Sequence, residues 1–242
     1  PPSEVTDWIR GPYRSVWGRF FKHLDSALRP VLPLIPRSMH KKALKAASDF
    51  IEPRLSRGGL GAIYPAMANV VMMYRAQGVP DSDPRAKTAW DAIQDLLVDH
   101  GDEIYCQPCV SPVWDTGLSG LAMIEAASGP AGTKTEETLA ALKKSAEWLR
   151  EHQILDVKGD WAINAPDLRP GGWAFQYEND YYPDVDDTAV VAMLLHRVDP
   201  ENSREAISRA REWIIGMQST NGGWGAFDID NDHELLNHIP FS

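Results

Sequence analysis

Two stretches of this 242-residue chain repeat one another, and that repeat limits the fold more than any other feature. Residues 143–161 read KKSAEWLREHQILDVKGDW, and residues 208–224 read SRAREWIIGMQSTNGGW. Each carries a Trp, a Gln five positions on, and a closing Trp. These are Trp148, Gln153 and Trp161 in the first copy, and Trp213, Gln218 and Trp224 in the second. Self-similar units of this kind cannot bury their apolar faces alone and must stack on their neighbours. A weaker copy lies at residues 46–61, where Phe50 precedes Gly58-Gly59-Leu60-Gly61 without the Gln or the closing Trp.

A second repeat is interleaved with the first. SPVWDTGLSGLAMI (111–124) aligns with PDVDDTAVVAMLL (183–195) when Asp115 is matched to Asp187 and Thr116 to Thr188. Pro and acidic residues followed by an apolar run mark a helix N-terminus, where Asp caps free N–H groups at the positive end of the dipole. Each apolar helix is followed by an amphipathic one, over 134–152 and 201–217, with apolar residues three and four apart, as in Leu139, Leu142, Ala146 and Leu149. Alternating apolar and amphipathic helices read as the inner and outer layers of an α/α toroid, and strand signals are sparse. The predicted fold is all-α. In this alignment Trp114 and Asp186 are equivalent, each one residue before the shared Asp-Thr, and Met67 takes that place in the weak third copy. Rotation about a barrel axis would point all three at one central cavity.

Composition narrows the function classes. Hydrophobic residues make up 43% and charged residues 24%, as in an ordinary folded chain rather than a disordered or collagen-like one. A net charge of −10 argues against nucleic acid, whose phosphates need clustered Lys and Arg. Cys106 and Cys109 form one C-x2-C, lacking the further ligands of a zinc site and the strand–helix setting of a redox pair, so both read as packed, reduced thiols. No apolar run approaches the about 18 residues of a membrane span. Residues 1–45 interleave Trp17, Phe20, Phe21, Leu24 and Leu28 with Arg14, Arg19, Lys22, Arg29 and Arg37. This is either a segment lying in a membrane interface or a helix packing on its own domain. The chain starts at Pro1 with no signal-peptide pattern and stops at Phe241-Ser242, so both ends read as cut.

The sharpest chemical motif is Asp184-Val185-Asp186-Asp187. Three carboxylates within four residues repel one another and burial adds to the effect, so at least one is expected to stay protonated near neutral pH. A neutral carboxylic acid in a dry cavity is a proton donor; the same pattern in water is only an acidic helix cap. Asp228-Ile229-Asp230-Asn231-Asp232 opens like a calcium loop, but His233 replaces the required Gly and Ile239 the bidentate Glu.

Gly171-Gly172-Trp173-Ala174-Phe175-Gln176, followed by Tyr181-Tyr182-Pro183-Asp184-Val185-Asp186-Asp187-Thr188-Ala189, resembles the catalytic stretch of squalene–hopene cyclases. Cys106-Gln107-Pro108-Cys109 with Ser111-Pro112-Val113-Trp114-Asp115-Thr116-Gly117 resembles a second stretch of that family, and the Gln/Trp repeats look like its QW motifs. The resemblance covers residues 42–242 and implies the central portion of a class II triterpene cyclase. Residues 1–105 would be the C-terminal part of a first α/α barrel, with 11–40 as its membrane-contacting segment. Residues 106–242 would be the N-terminal part of the catalytic barrel.

The same resemblance implies the roles. Asp186 would protonate the terminal double bond of squalene, with Asp184 and Asp187 setting its environment. Trp114 and Phe175 would stabilise carbocations through their ring faces, at about 0.5–2 kcal/mol each. Phe227 stands where many relatives place a cavity Tyr, and Met67 where some carry a cavity Trp. Trp161 and Trp224 would stack with their QW glutamines and bind outer helices together. The product would be hopene, with hopanol where water quenches the last cation, making the protein an isomerase of hopanoid biosynthesis that needs no cofactor or metal. Implied partners are squalene and a membrane surface, with a homodimer left open. The implied location is peripheral or monotopic, on the cytoplasmic side of a bacterial inner membrane. The family's partner histidine for the acid falls beyond Ser242, so the 242 residues alone are expected not to turn over squalene. Three alternatives stay open: another class II cyclase with the D-x-D-D pattern, an α/α-toroid glycosidase, and a non-catalytic repeat scaffold.

Overall fold

The computed structural model describes residues 16–128, 135–231 and 233. The chain divides into two units, one of residues 1–48 with 231–242 and one of residues 49–230. The first unit contains helix α1 (Val16–Leu28), a 3₁₀ turn at Leu32–Leu34 and most of α2 (Arg37–Ile51). Trp17, Phe20, Leu24 and Leu28 are exposed along α1, and Trp17 meets Phe20 edge-on and Phe21 in a stack. Of the segment 11–40, residues 11–15 lie outside the described residues, as does Arg14. No helix among the described residues is long and apolar enough to cross a membrane.

The second unit opens with a 3₁₀ turn, Glu52–Arg54, and a short antiparallel pair, β1 (Leu55–Ser56) and β2 (Gly59–Leu60). Helices α3 (Tyr64–Ala76) and α4 (Pro84–Gln94) follow and pack together. Asp83 starts α4 by accepting the Arg85 N–H at 2.9 Å, with Pro84 in the first turn where its missing N–H costs nothing. A hairpin of β3 (Leu97–Asp99) and β4 (Ile104–Cys106) leads to α5 (Pro112–Ser128).

Helix α6 (Glu136–Glu151) begins on Thr135, whose hydroxyl accepts the Thr138 N–H, and carries two glutamates in its first turn. β5 (Trp173–Ala174) pairs with β6 (Pro183–Asp184), and β6 runs directly into α7 (Val185–Val198), followed by α8 (Arg204–Gly216). The apolar and amphipathic helices expected from the sequence are these four, α5 with α7 and α6 with α8. The architecture is all-α, of the α/α-barrel kind, and the β pairs are two or three residues long.

The inner pair is joined through small residues. A Cβ on Gly117 would lie 2.7 Å from Val190, and one on Gly120 would lie 2.7 Å from Leu194. Helices α6 and α8 both pack against α7, burying Leu149, Leu194, Leu195 and Ala210 completely. Each such leucine contributes about 1.5–3 kcal/mol of burial. Trp173 lies at the centre of this cluster, with its indole N–H donating to the Leu149 carbonyl at 2.6 Å.

Candidate active site

The start of α7 is built by three strips of chain. Asp184 is the N-cap, and its carboxylate accepts the Asp187 N–H at 2.7 Å. Thr188 is wholly buried; its hydroxyl donates to the Asp184 carbonyl at 2.6 Å and accepts the Trp173 N–H at 3.0 Å. The Val185 N–H donates to the Ala226 carbonyl at 2.9 Å, which brings the segment carrying Phe227 against the same helix end.

The three carboxylates are not equivalent. Asp184 and Asp187 are 4% and 2% exposed, whereas Asp186 is exposed. Helical geometry separates them, since Asp186 lies one residue, about 100° of rotation, from Asp187. Burial pushes the Asp187 carboxyl up to about 8, and its hydrogen bond to Asp184 and the charges of Asp184, Asp186 and Asp115 add to that. Burial also raises Asp184, while the Asp187 side chain and backbone N–H oppose the rise by donating to it. The pair therefore holds a proton near neutral pH, with Asp187 as its donor. Where the sequence left open which member of the motif holds a proton, the structure assigns it to the pair, and Asp187 Oδ1 remains without a hydrogen-bond partner.

Trp114 lies in the first turn of α5, half-buried, and the charge of the adjacent Asp115 reaches Asp187. Phe175 follows Ala174, which is paired with Pro183, and is half-buried beside the motif. Phe227 is 52% exposed. These three aromatics thus share the N-terminal end of α7 with the acids. Met67 stands apart: it is buried with Ala92 and Leu96 and lines a cavity of about 510 Å³. That cavity also takes in Arg57, His152, Gln176 and Tyr177, but none of the three motif aspartates. Gln176 is buried there with its amide nitrogen unpartnered.

The repeat residues join helices in different ways. Gln153 donates to the carbonyls of Gly171 and Ala206, at 2.8 and 2.9 Å, tying the end of α6 to α8 and to the strip before β5. Trp161 meets Trp213 edge-on at 5.9 Å between centroids, both buried. Trp148 packs on His152. Gln218 donates only to the nearby Gly222 carbonyl, and the half-exposed Trp224 donates to the Ile214 carbonyl. In the Asp228–Asp230 segment, Asp228 accepts from Asn164, 64 residues before it, and Asp230 from Thr220, so both carboxylates are taken up in tying this segment to other parts of the chain.

Residues 1–102 match the squalene-hopene cyclase N-terminal domain, and residues 110–242 match the squalene-hopene cyclase C-terminal domain. The chain belongs to the squalene–hopene cyclase family. A squalene-hopene cyclase from Schizosaccharomyces japonicus is 62% identical over the whole of this chain, which covers 37% of that relative. The family's members in Zymomonas mobilis and Bradyrhizobium diazoefficiens are 51% and 48% identical, over 94% and 100% of this chain and 35% and 36% of their own lengths. The chain therefore spans little more than a third of the relatives it matches.

Two residues of the site had no signal in the sequence. Arg54 and Asp160 form an ion pair across 106 positions, and neither is one of the Trp, Gln, Gly or Asp positions that the repeats and motifs share. Only the folded chain brings them together.

Proposed function

We propose that the full-length protein containing this chain is a squalene–hopene cyclase, an isomerase that protonates squalene and closes it to hopene, with hopanol where water captures the final cation. The observation that carries this is a cluster of three carboxylates opening an apolar helix, two of them buried and sharing a proton, with Trp114, Phe175 and Phe227 around the same helix end.

In this reading Asp186 delivers the proton, drawing on the one that the Asp184–Asp187 pair holds. That proton passes to the terminal alkene carbon, the alkene electrons form the new C–H bond, and the cation left behind is attacked by the next double bond. Loss of a proton from the last cation restores the atom count, so the net reaction is an isomerisation. The Asp184–Asp187 pair supplies that proton, and the cluster is reprotonated when the last cation loses its own. Trp114, Phe175 and Phe227 offer ring faces to the passing cation. Met67, in its separate cavity, bears on the shape of the substrate site rather than on the acid. We place the barrel boundary near residue 105, which is supported by the family matches ending at 102 and resuming at 110.

Attachment to a membrane is part of the same proposal. Helix α1 exposes Trp17, Phe20, Leu24 and Leu28 among Arg19 and Lys22, a pairing that suits the interface of an anionic bilayer. An apolar substrate dissolved in that bilayer would enter from it, on the cytoplasmic side. Relatives come from two bacteria and from Schizosaccharomyces japonicus, so the family likeness does not choose the membrane.

The test is conversion of squalene by the full-length protein, with products identified by gas chromatography and mass spectrometry. Wild type is expected to give pentacyclic product, and Asp186→Asn to give none while melting within a few degrees of wild type. Product from Asp186→Asn would remove the donor from Asp186, and an inactive wild type would favour the scaffold reading.

A further inference from the structure

We propose that Arg54 is a positioning residue for the acid cluster, clamping from the first half of the chain the turn that precedes Asp184. This rests on the cyclase reading above and adds to it a residue to which that reading gives no role.

Arg54 closes the 3₁₀ turn before β1, and its guanidinium makes three hydrogen bonds. Nη1 donates to the Phe50 carbonyl at 2.6 Å, Nε to Asp160 Oδ2 at 3.2 Å, and Nη2 to Asp160 Oδ1. Its guanidinium carbon lies over two rings, 3.7 Å from the Phe50 centroid and 4.6 Å from that of Tyr181. A bidentate fork packed against two aromatic rings is a geometry that Lys cannot reproduce. The hydrogen bonds to Asp160 hold Arg54 above its ordinary range. Burial works against the Asp160 charge, but the hydrogen bonds from Arg54 and Tyr182 outweigh it and hold Asp160 below its usual range.

Asp160 passes this anchoring on to the acid motif. Its own N–H donates to the Tyr181 carbonyl at 3.3 Å, and its side chain bonds Tyr182. A Cβ on Gly159 would lie 2.1 Å from the Tyr181 oxygen, so the two strips are in direct backbone contact. The Tyr182 N–H turns back to Asn179, and the next two residues are Pro183 and the cap Asp184. Ring, carboxylate and backbone thus fix Tyr181 and Tyr182, and through them the register of Asp184, Asp186 and Asp187. A pair serving stability alone needs no connection to the cap; this one ends two residues before it.

Arg54→Lys and Arg54→Met in the full-length protein test this, alongside Asp160→Asn. Since a displacement of about 1 Å at a reacting group costs on the order of a hundredfold in rate, kcat is expected to fall by that order. KM is expected to stay within about twofold, because neither Arg54 nor Asp160 lines the cavity beside Met67. All three variants should lower kcat alike, and Arg54→Met/Asp160→Asn should lose no more than either single change. Unchanged kcat in Arg54→Met, or a rise in KM alone, would overturn the proposal. If wild type turns over no squalene, the cyclase reading fails, and the clamp is judged by titration instead. The Asp187-dependent fall in melting temperature with pH, which ends near 8 in wild type, should end at lower pH in Arg54→Lys as water reaches Asp184, Asp186, Asp187 and Asp115. An unmoved end point overturns the proposal.

Discussion

The Asp184 carboxylate caps the helix that carries Asp187, accepting its backbone N–H at 2.7 Å, and the two side chains also bond one another. Two acids three residues apart thereby become one titrating unit. The cap keeps Asp184 an acceptor, so the proton resides on Asp187, where burial favours the neutral form.

A pH dependence follows, and its sign is set by Asp187. The group ordinarily titrates at 3.8 and is raised to about 8 in the fold. Between these values the folded chain holds a proton that the unfolded chain has released, so stability falls as pH rises and levels off above about 8. Asp187→Asn removes the ionisation while keeping the shape. The melting temperature of Asp187→Asn minus that of wild type should grow steadily from pH 5 to about pH 8 and then stay flat. A difference independent of pH would mean that Asp187 is ionised throughout.

Gly171 has no room for a side chain, because a Cβ there would lie 2.6 Å from the Arg209 carbonyl oxygen. That oxygen belongs to the backbone of α8 and cannot swing aside. Gly120, by contrast, faces only the methyl groups of Leu194. Gly171→Ala is expected to cost about 3 kcal/mol and Gly120→Ala about 1 kcal/mol, the two ends of the usual overpacking range. Chemical denaturation of both variants gives the comparison, and equal losses would mean that α8 shifts freely.

The parts of this fold that could be read from the sequence are those with a period. Helices α5 and α7 announced themselves through Pro, Asp and an apolar run, and α6 and α8 through their stripes, because helix formation is a local matter of capping and spacing. The β pairs left no trace, since two or three residues are too few to show alternation. At the site, the cluster Asp184–Asp187 was legible, but not which member carries the proton. That depends on Asp186 turning outward while its neighbours are buried. Met67 matched Trp114 by alignment, yet it is buried with Ala92 and Leu96. The weak copy around it lacks the Gln and Trp that fix the others. Arg54 was silent because its partner is 106 residues away.

The two repeat glutamines should differ in worth although their motifs match. Gln153 bridges the carbonyls of Gly171 and Ala206 from a half-buried site, while Gln218 reaches only Gly222, four residues on and in water. Replacing Gln153 with Leu leaves two carbonyls short of a donor, at a cost of about 1–3 kcal/mol. Gln218→Leu should cost under about 0.5 kcal/mol, as for an ordinary surface change. Equal effects in urea unfolding would show that the bridge to α8 adds nothing.

Thr188 makes the sharpest test of how the Gly-Gly-Trp strip and the acids are joined. Its hydroxyl accepts from the Trp173 N–H and donates to the Asp184 carbonyl, and water does not reach it. Thr188→Val keeps the shape and removes both bonds, stranding one buried donor and one buried acceptor. The loss is expected to be about 2–4 kcal/mol, from roughly 1–3 kcal/mol for each unsatisfied group with partial relaxation. Thr188→Ser retains the hydroxyl and loses only a methyl, so it should cost about 1 kcal/mol. Because the lost donor also holds the residue that caps Asp187, Thr188→Val should flatten the fall in stability with pH, and Thr188→Ser should leave it intact. A Thr188→Val protein that kept the full slope would mean that Asp184 is held by its own N-cap bond alone.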